Sequence, residues 1–164
     1  MNRIGRSLLM IWAIFAVFCS NKTGNKTVVT GNDFTLNSLD QEEYTLSKLK
    51  GRVVIVDFWA TWCPPCRREI PHLISLYEKY KDKGLIVLGV SAEEKQTLET
   101  FRNENNITYP ILLGNNEVFQ KFGVRSIPHT IFIDKKGNVR KTQIGYADEL
   151  LPEFESLIET LINE

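Results

Sequence analysis

An α/β fold, with a mixed central sheet, helices on both faces and an N-terminal β-hairpin extension, is the architecture this 164-residue sequence predicts. Three observations lead to it. The apolar, β-branched runs "RVVIVDFW" (52–59) and "GLIVLGVS" (84–91) have the unbroken character of strands buried on both faces. Apolar residues at helical spacing follow each of them. Near the C-terminus "HTIFID" and "VRKTQIG" flank "KKGN", the signature of a hairpin turn. Strands separated by helices and then closed by a hairpin require a mixed sheet covered on both sides.

"DFTLNSLDQEEYTL" (33–46) holds two short alternating runs around a polar turn and predicts the leading hairpin. After the strand at 52–59, Ile70, Leu73, Ile74 and Tyr77 mark one face of a helix from Pro65 to about Tyr80. Pro71 lacks an N–H and crowds the preceding turn, so it is expected to kink that helix. Beyond the strand at 84–91, Leu98 and Phe101 form the inner side of a helix over Lys95–Asn105. "YPILLG" predicts a short strand and "EVFQKFG" a short helix ending at Gly123. The final helix follows the clearest spacing, with Phe154, Leu157, Ile158, Leu161 and Ile162 at i, i+3, i+4, i+7 and i+8.

The composition is that of a soluble domain with an ordinary core, 43% apolar and 24% charged. Twenty basic residues balance twenty acidic ones, and without a basic surplus a nucleic-acid partner is not expected. No repeat or low-complexity tract interrupts residues 33–164, which are expected to form one domain in a monomeric protein. Residues 1–19 differ. Arg3 and Arg6 precede an apolar run from Leu8 to Phe18, shorter than the roughly 20 residues of a membrane span but suited to the apolar region of an export signal. Cys19 closes the run, in an arrangement that resembles the lipobox of bacterial lipoproteins, although Phe18 stands where that motif has a small residue. Lipidation of Cys19, cleavage of an ordinary signal and an uncleaved anchor are the open alternatives. Residues 20–32, "SNKTGNKTVVTGN", then read as a flexible tether. Protein export to the cell envelope, with attachment to the membrane through the N-terminal segment or a lipid, is the expectation.

With Cys19 set aside, Cys63 and Cys66 form an isolated pair in "FWATWCPPCRREIP" (58–71). A disulfide across so short a loop adds little restraint to the unfolded chain, so a structural clamp is a weak explanation. Cys63 falls at the end of a buried strand and the start of a helix, where free backbone N–H groups and the helix dipole favour a thiolate. The thiolate is the form that attacks disulfides. Cys66, within the first helical turn, can displace the resulting mixed disulfide, and Pro64 and Pro65 suit that turn. A redox couple is the stronger explanation. Two thiolates are only half of a zinc site, and His72, about 240° around the helix from Cys66 at 100° per residue, does not converge on them. No resident metal is expected, and the Cys63–Cys66 couple is the only redox group required, since nucleotide, flavin and haem motifs are absent.

"WCPPC" after a strand, a helix carrying Pro71, and the later "SIPHT" together resemble the thioredoxin superfamily. From "DFTLNSLDQEEYTLSKLKGRVVIVDFWATWCPPC" through "GVRSIPHTIFIDKKGNV" the chain is similar to the exported TlpA/ResA-like branch of thiol–disulfide oxidoreductases, over about residues 31–162. The resemblance implies a thioredoxin-like fold, with Cys63 attacking and Cys66 resolving. It implies that Trp62 shapes the docking face, that Ile127–Pro128 is a cis bond near the cysteines, and that the Ile127 backbone pairs with a substrate chain. Asp57 interrupts an apolar strand, where a charge is costly unless its pKa rises. It matches the superfamily's buried acid, and Glu69 matches an active-site glutamate of the ResA-like branch, so either can relay the Cys66 proton. Arg67 and Arg68 are expected on the exposed helix face.

The expected activity is therefore reduction of disulfides in selected envelope proteins, such as apocytochrome c before haem attachment, with electrons from a membrane thiol carrier. A thiol peroxidase is the alternative enzyme, but Ala60 stands where its Thr-x-x-Cys motif has threonine. A copper or metal carrier is the non-enzymatic alternative. An oxidant of exported proteins would use the same chemistry in reverse.

Overall fold

The computed structural model describes residues 32–164. The signal segment, Cys19 and the tether up to residue 31 lie outside the described residues. Strands β1 (Thr35–Asn37) and β2 (Glu43–Thr45) form the antiparallel N-terminal hairpin, with Leu36 opposite Tyr44. The remaining strands are β3 (Val53–Phe58), β4 (Leu85–Ser91), β5 (Ile111–Leu113), β6 (His129–Ile133) and β7 (Val139–Ile144). They form one five-stranded sheet in the order β5-β4-β3-β6-β7. β3 runs parallel to β4, and β4 to β5, whereas β6 is antiparallel to both β3 and β7. The mixed sheet inferred from strand order is thus present, with β3, buried at every residue, at its centre.

Alternation along β3 sorts the core into two layers. Val53 and Ile55 face the cluster built by helix α1 (Pro64–Tyr80), helix α2 (Lys95–Asn105) and helix α4 (Leu151–Asn163). Ile70, Leu73 and Leu76 enter it from α1, Leu98 from α2, and Phe154, Ile158 and Leu161 from α4. Phe132 and Phe154 rings meet there at 4.8 Å. Val54, Val56 and Phe58 face the other layer, closed by Phe34, Leu46 and Val118 of the short helix α3 (Asn116–Lys121). By the same alternation Asp57 is delivered beneath α1, into an otherwise apolar layer.

Helix α1 begins at Pro64, one residue earlier than the sequence spacing suggests, because two prolines occupy its first positions and Cys63 serves as the N-cap. It continues through Pro71 to Tyr80. Gly89 of β4, opposite Asp57, lets two rings close over the sheet: a Cβ there would lie 2.9 Å from Trp59 Nε1 and 3.1 Å from the Tyr109 ring. Among the described residues no helix is long and apolar enough to cross a membrane.

Candidate active site

The turn from β3 into α1 sets the cysteines. Trp59 N–H donates to Val90 O at 3.1 Å, and Cys63 N–H to Ala60 O at 3.2 Å, which fold the chain back before the helix starts. Cys63 has extended backbone angles, and its Sγ accepts from Cys66 N–H at 3.3 Å. The two cysteines are joined as a disulfide with their Cα atoms 5.3 Å apart. Cys66 is wholly buried, whereas Cys63 retains 3% exposure. Of the pair, only Cys63 keeps any exposed surface. Trp62, 71% exposed, stands beside it as one of two large apolar side chains left open to solvent among the described residues.

The second wall comes from β6. The Ile127–Pro128 peptide is cis. His129 pairs with Phe58 at the C-terminal end of β3, so Pro128 lies at the same end of the sheet as the Trp59–Cys63 turn. Pro128 O accepts from Gly145 N–H at 2.8 Å. Neither the N–H nor the C=O of Ile127 is taken by another backbone group among the described residues. Opposite His129 across β7 is Ile144, the other exposed large apolar residue, at 57%.

Beneath the disulfide lies a pair of carboxyl groups. Asp57 and Glu69 are both fully buried, although Glu69 follows two exposed arginines in sequence. Glu69 is on the inner face of α1 because it is three residues from Cys66 and four from Leu73, both buried. Thr130, the β6 register partner of Asp57, joins the acids: its Oγ1 is 2.9 Å from Glu69 Oε1 and 3.4 Å from Asp57 Oδ1. One hydroxyl hydrogen cannot serve both carboxylates. With Asp57 protonated and donating to Thr130 Oγ1, Thr130 donates to Glu69, and both contacts are satisfied. Burial and the neighbouring Glu69 raise the Asp57 pKa well above the carboxylate range, while burial pushes Glu69 up to about 7. Asp57 Oδ2 and Glu69 Oε2 are buried without a partner.

The same enclosure holds Tyr109 and Tyr146, whose hydroxyls are also unpartnered. Burial, then the charges of Asp57 and Glu69, raise the Tyr109 pKa well above its usual value. Burial and Asp148 push Tyr146 up to about 12. Thr130, Tyr109 and Tyr146 were not singled out from the sequence. Only Thr130 carries a usable signal, as the residue two beyond Pro128 in a strand expected beside β3. His72 stacks on Tyr146 with ring centroids 5.6 Å apart, and no cluster of three or more metal-ligating side chains is found among the described residues.

Residues 30–142 match the AhpC/TSA family. The chain belongs to that family. Among curated proteins it is similar to the thiol-disulfide oxidoreductase ResA of Geobacillus thermodenitrificans, 36% identical over 82% of this chain and 78% of that one. Among solved structures it is similar to a thiol:disulfide interchange protein of the thioredoxin family from Chlorobium tepidum, at TM-score 0.72 and 26% identity over 80% of this chain and 94% of the other. It is also similar to the exposed lipoprotein thioredoxin of Streptococcus pneumoniae, at TM-score 0.68 and 27% identity over 79% and 99% of the two chains. The fold is thioredoxin-like, and this member of the family is a thiol–disulfide oxidoreductase acting on protein thiols and disulfides.

Proposed function

We propose that the enzyme works as a reductase of selected protein disulfides in the cell envelope. Cys63 thiolate attacks one sulfur of the target disulfide, forming a mixed disulfide and releasing the first target thiolate. Cys66, deprotonated, then attacks the Cys63 sulfur, expelling the second target thiolate and closing the Cys63–Cys66 bond. Two electrons pass from enzyme to target, and a membrane thiol carrier returns them. The observation that carries this reading is the disulfide at the head of α1, with Cys63 its less buried half, close to a buried pair of acids.

Glu69 and Asp57 share the proton work. A carboxyl with its pKa near 7 is suited both to accept the Cys66 proton and to return it at neutral pH. Trp62, the free backbone of Ile127, and Pro128 form the docking face for an extended segment of the target. All these groups lie in one chain, so a monomer suffices. Residues 33–164 act as the catalytic domain, residues 20–32 as its tether, and residues 1–19 as the export signal or anchor, with Cys19 as the lipidation site. The likeness to an exposed lipoprotein thioredoxin supports that placement. Apocytochrome c is the proposed target, by resemblance to the ResA-like branch.

The test is trapping. Cys66→Ala leaves the mixed disulfide without a resolving thiol, so covalent adducts to envelope proteins accumulate and disappear on adding dithiothreitol. Adducts formed equally well by Cys63→Ala would overturn the assignment of the attacking residue.

A further inference from the structure

A side chain outside the cysteine, carboxyl and proline groups holds the turn that presents Cys63. Glu93 lies just past the end of β4, two residues beyond the buried Ser91. One carboxylate oxygen, Oε2, accepts from the Thr61 backbone N–H at 2.7 Å, and the other, Oε1, accepts from the Thr61 hydroxyl at 2.6 Å. Oε2 also accepts from Ser91 Oγ at 3.2 Å, and Glu93 N–H approaches Ser91 Oγ at 3.4 Å. Both Glu93 oxygens are thus engaged with one residue of the active-site turn, and the carboxylate is braced by Ser91 at the end of β4.

The consequence follows from where Thr61 sits. Between the end of β3 and the start of α1, Trp59 is tied to Val90 and Cys63 to Ala60, both through backbone bonds. Thr61 is a further point at which the turn is held, through Glu93, to the segment just after β4, and it immediately precedes the exposed Trp62 and the nucleophile. A neutral acceptor would satisfy the Thr61 N–H equally well. A carboxylate adds two charge-assisted bonds and a full negative charge. Cys63 is two positions on from Thr61, which places that charge within about 10 Å of the sulfur at roughly 3.5 Å per residue. There it opposes the helix N-terminus, which favours the thiolate, and a thiol less readily ionised makes a more reducing couple.

We propose that Glu93 is a positioning residue of the exchange reaction: it clamps Thr61 so that Trp62 and Cys63 are held in attacking orientation, and its charge keeps the couple on the reducing side. This rests on Cys63 being the nucleophile.

Full-length wild type, Glu93→Ala, Glu93→Gln, Thr61→Val and Cys63→Ser, purified in detergent, separate the two roles. The first readout is the pH midpoint of Cys63 alkylation in the reduced protein, located by peptide mass spectrometry so that Cys19 and Cys66 do not interfere. The second is the rate of reduction of a model protein disulfide, measured above each variant's midpoint so that thiolate fractions match. Glu93→Gln keeps the shape and one acceptor but loses the charge and the second acceptor, so its midpoint falls by about half a pH unit and its rate drops less than that of Glu93→Ala. Glu93→Ala loses the charge and both acceptors, so its midpoint falls and its rate drops roughly tenfold. Thr61→Val, which loses only the hydroxyl, is slowed less and keeps its midpoint. An unchanged midpoint in Glu93→Gln overturns the electrostatic role. A wild-type rate in folded Glu93→Ala, or in Thr61→Val if Glu93→Ala does not fold, overturns the clamp. Undiminished activity in Cys63→Ser would instead refute the underlying assignment of the nucleophile.

Discussion

Replacing Glu69 by glutamine should make the oxidised protein more stable at pH 8 and leave it nearly unchanged at pH 4. Glu69 carries no exposed surface, and burial raises its pKa from 4.5 to about 7. An acid whose pKa is raised on folding binds its proton more tightly in the folded chain. Its ionisation therefore costs nothing below pH 4.5, and the cost grows as pH rises until it is complete above about 7. A shift from 4.5 to about 7 is 2.5 units, which at 1.36 kcal/mol per unit comes to about 3 kcal/mol. Asp57, also raised, adds to the loss in the same direction. Glutamine preserves the shape, still accepts from Thr130, and has nothing to ionise. Urea unfolding at pH 4, 6 and 8 reads the effect: wild type loses stability across this range, and Glu69→Gln loses up to about 3 kcal/mol less. Wild-type stability that is flat or rises from pH 5 to 8, with the same gap to the variant at every pH, would refute the buried ionisation on which the relay depends.

Three further outcomes follow from the packing and the site. Gly89→Ala forces a methyl to within 2.9 Å of Trp59 Nε1 and 3.1 Å of the Tyr109 ring, and should cost roughly 1–3 kcal/mol in urea unfolding without abolishing the disulfide. Phe154→Ala empties the contact with Phe132 under the sheet and should cost about 3–5 kcal/mol, read as a lower thermal midpoint. Asp57→Asn should remove an acid whose pKa burial and the neighbouring Glu69 hold well above the usual carboxylate range, so the pH profile of target reduction loses one ionisation; an unchanged profile would show that Asp57 takes no part.

Much of this was legible in the sequence, for identifiable reasons. The unbroken run of β3 and the spacing of Phe154, Ile158 and Leu161 announce their burial locally, and each element falls where its own residues place it. The cysteines were legible because strand, "WCPPC" and helix are contiguous. The burial of Glu69 was half-legible: "RRE" looks like a solvated run, yet its offsets to Cys66 and Leu73 put it on the inner face. What escaped depends on pairing between distant segments. Thr130 meets Asp57 only through the antiparallel register of β6 on β3, and Glu93 meets Thr61 across 32 residues, a contact that only the placing of the end of β4 beside the active-site turn creates. Tyr109 approaches the acids only because Gly89 leaves room for its ring.

The most direct test of the account is the reduction potential of the Cys63–Cys66 couple, equilibrated against glutathione and dithiothreitol buffers. A reductase carrying buried acids near Cys66 and a carboxylate beside Cys63 is predicted to lie toward the thioredoxin end of the fold's range, about −270 mV. A value toward the oxidising end, about −120 mV, would contradict it and recast the protein as a donor of disulfides.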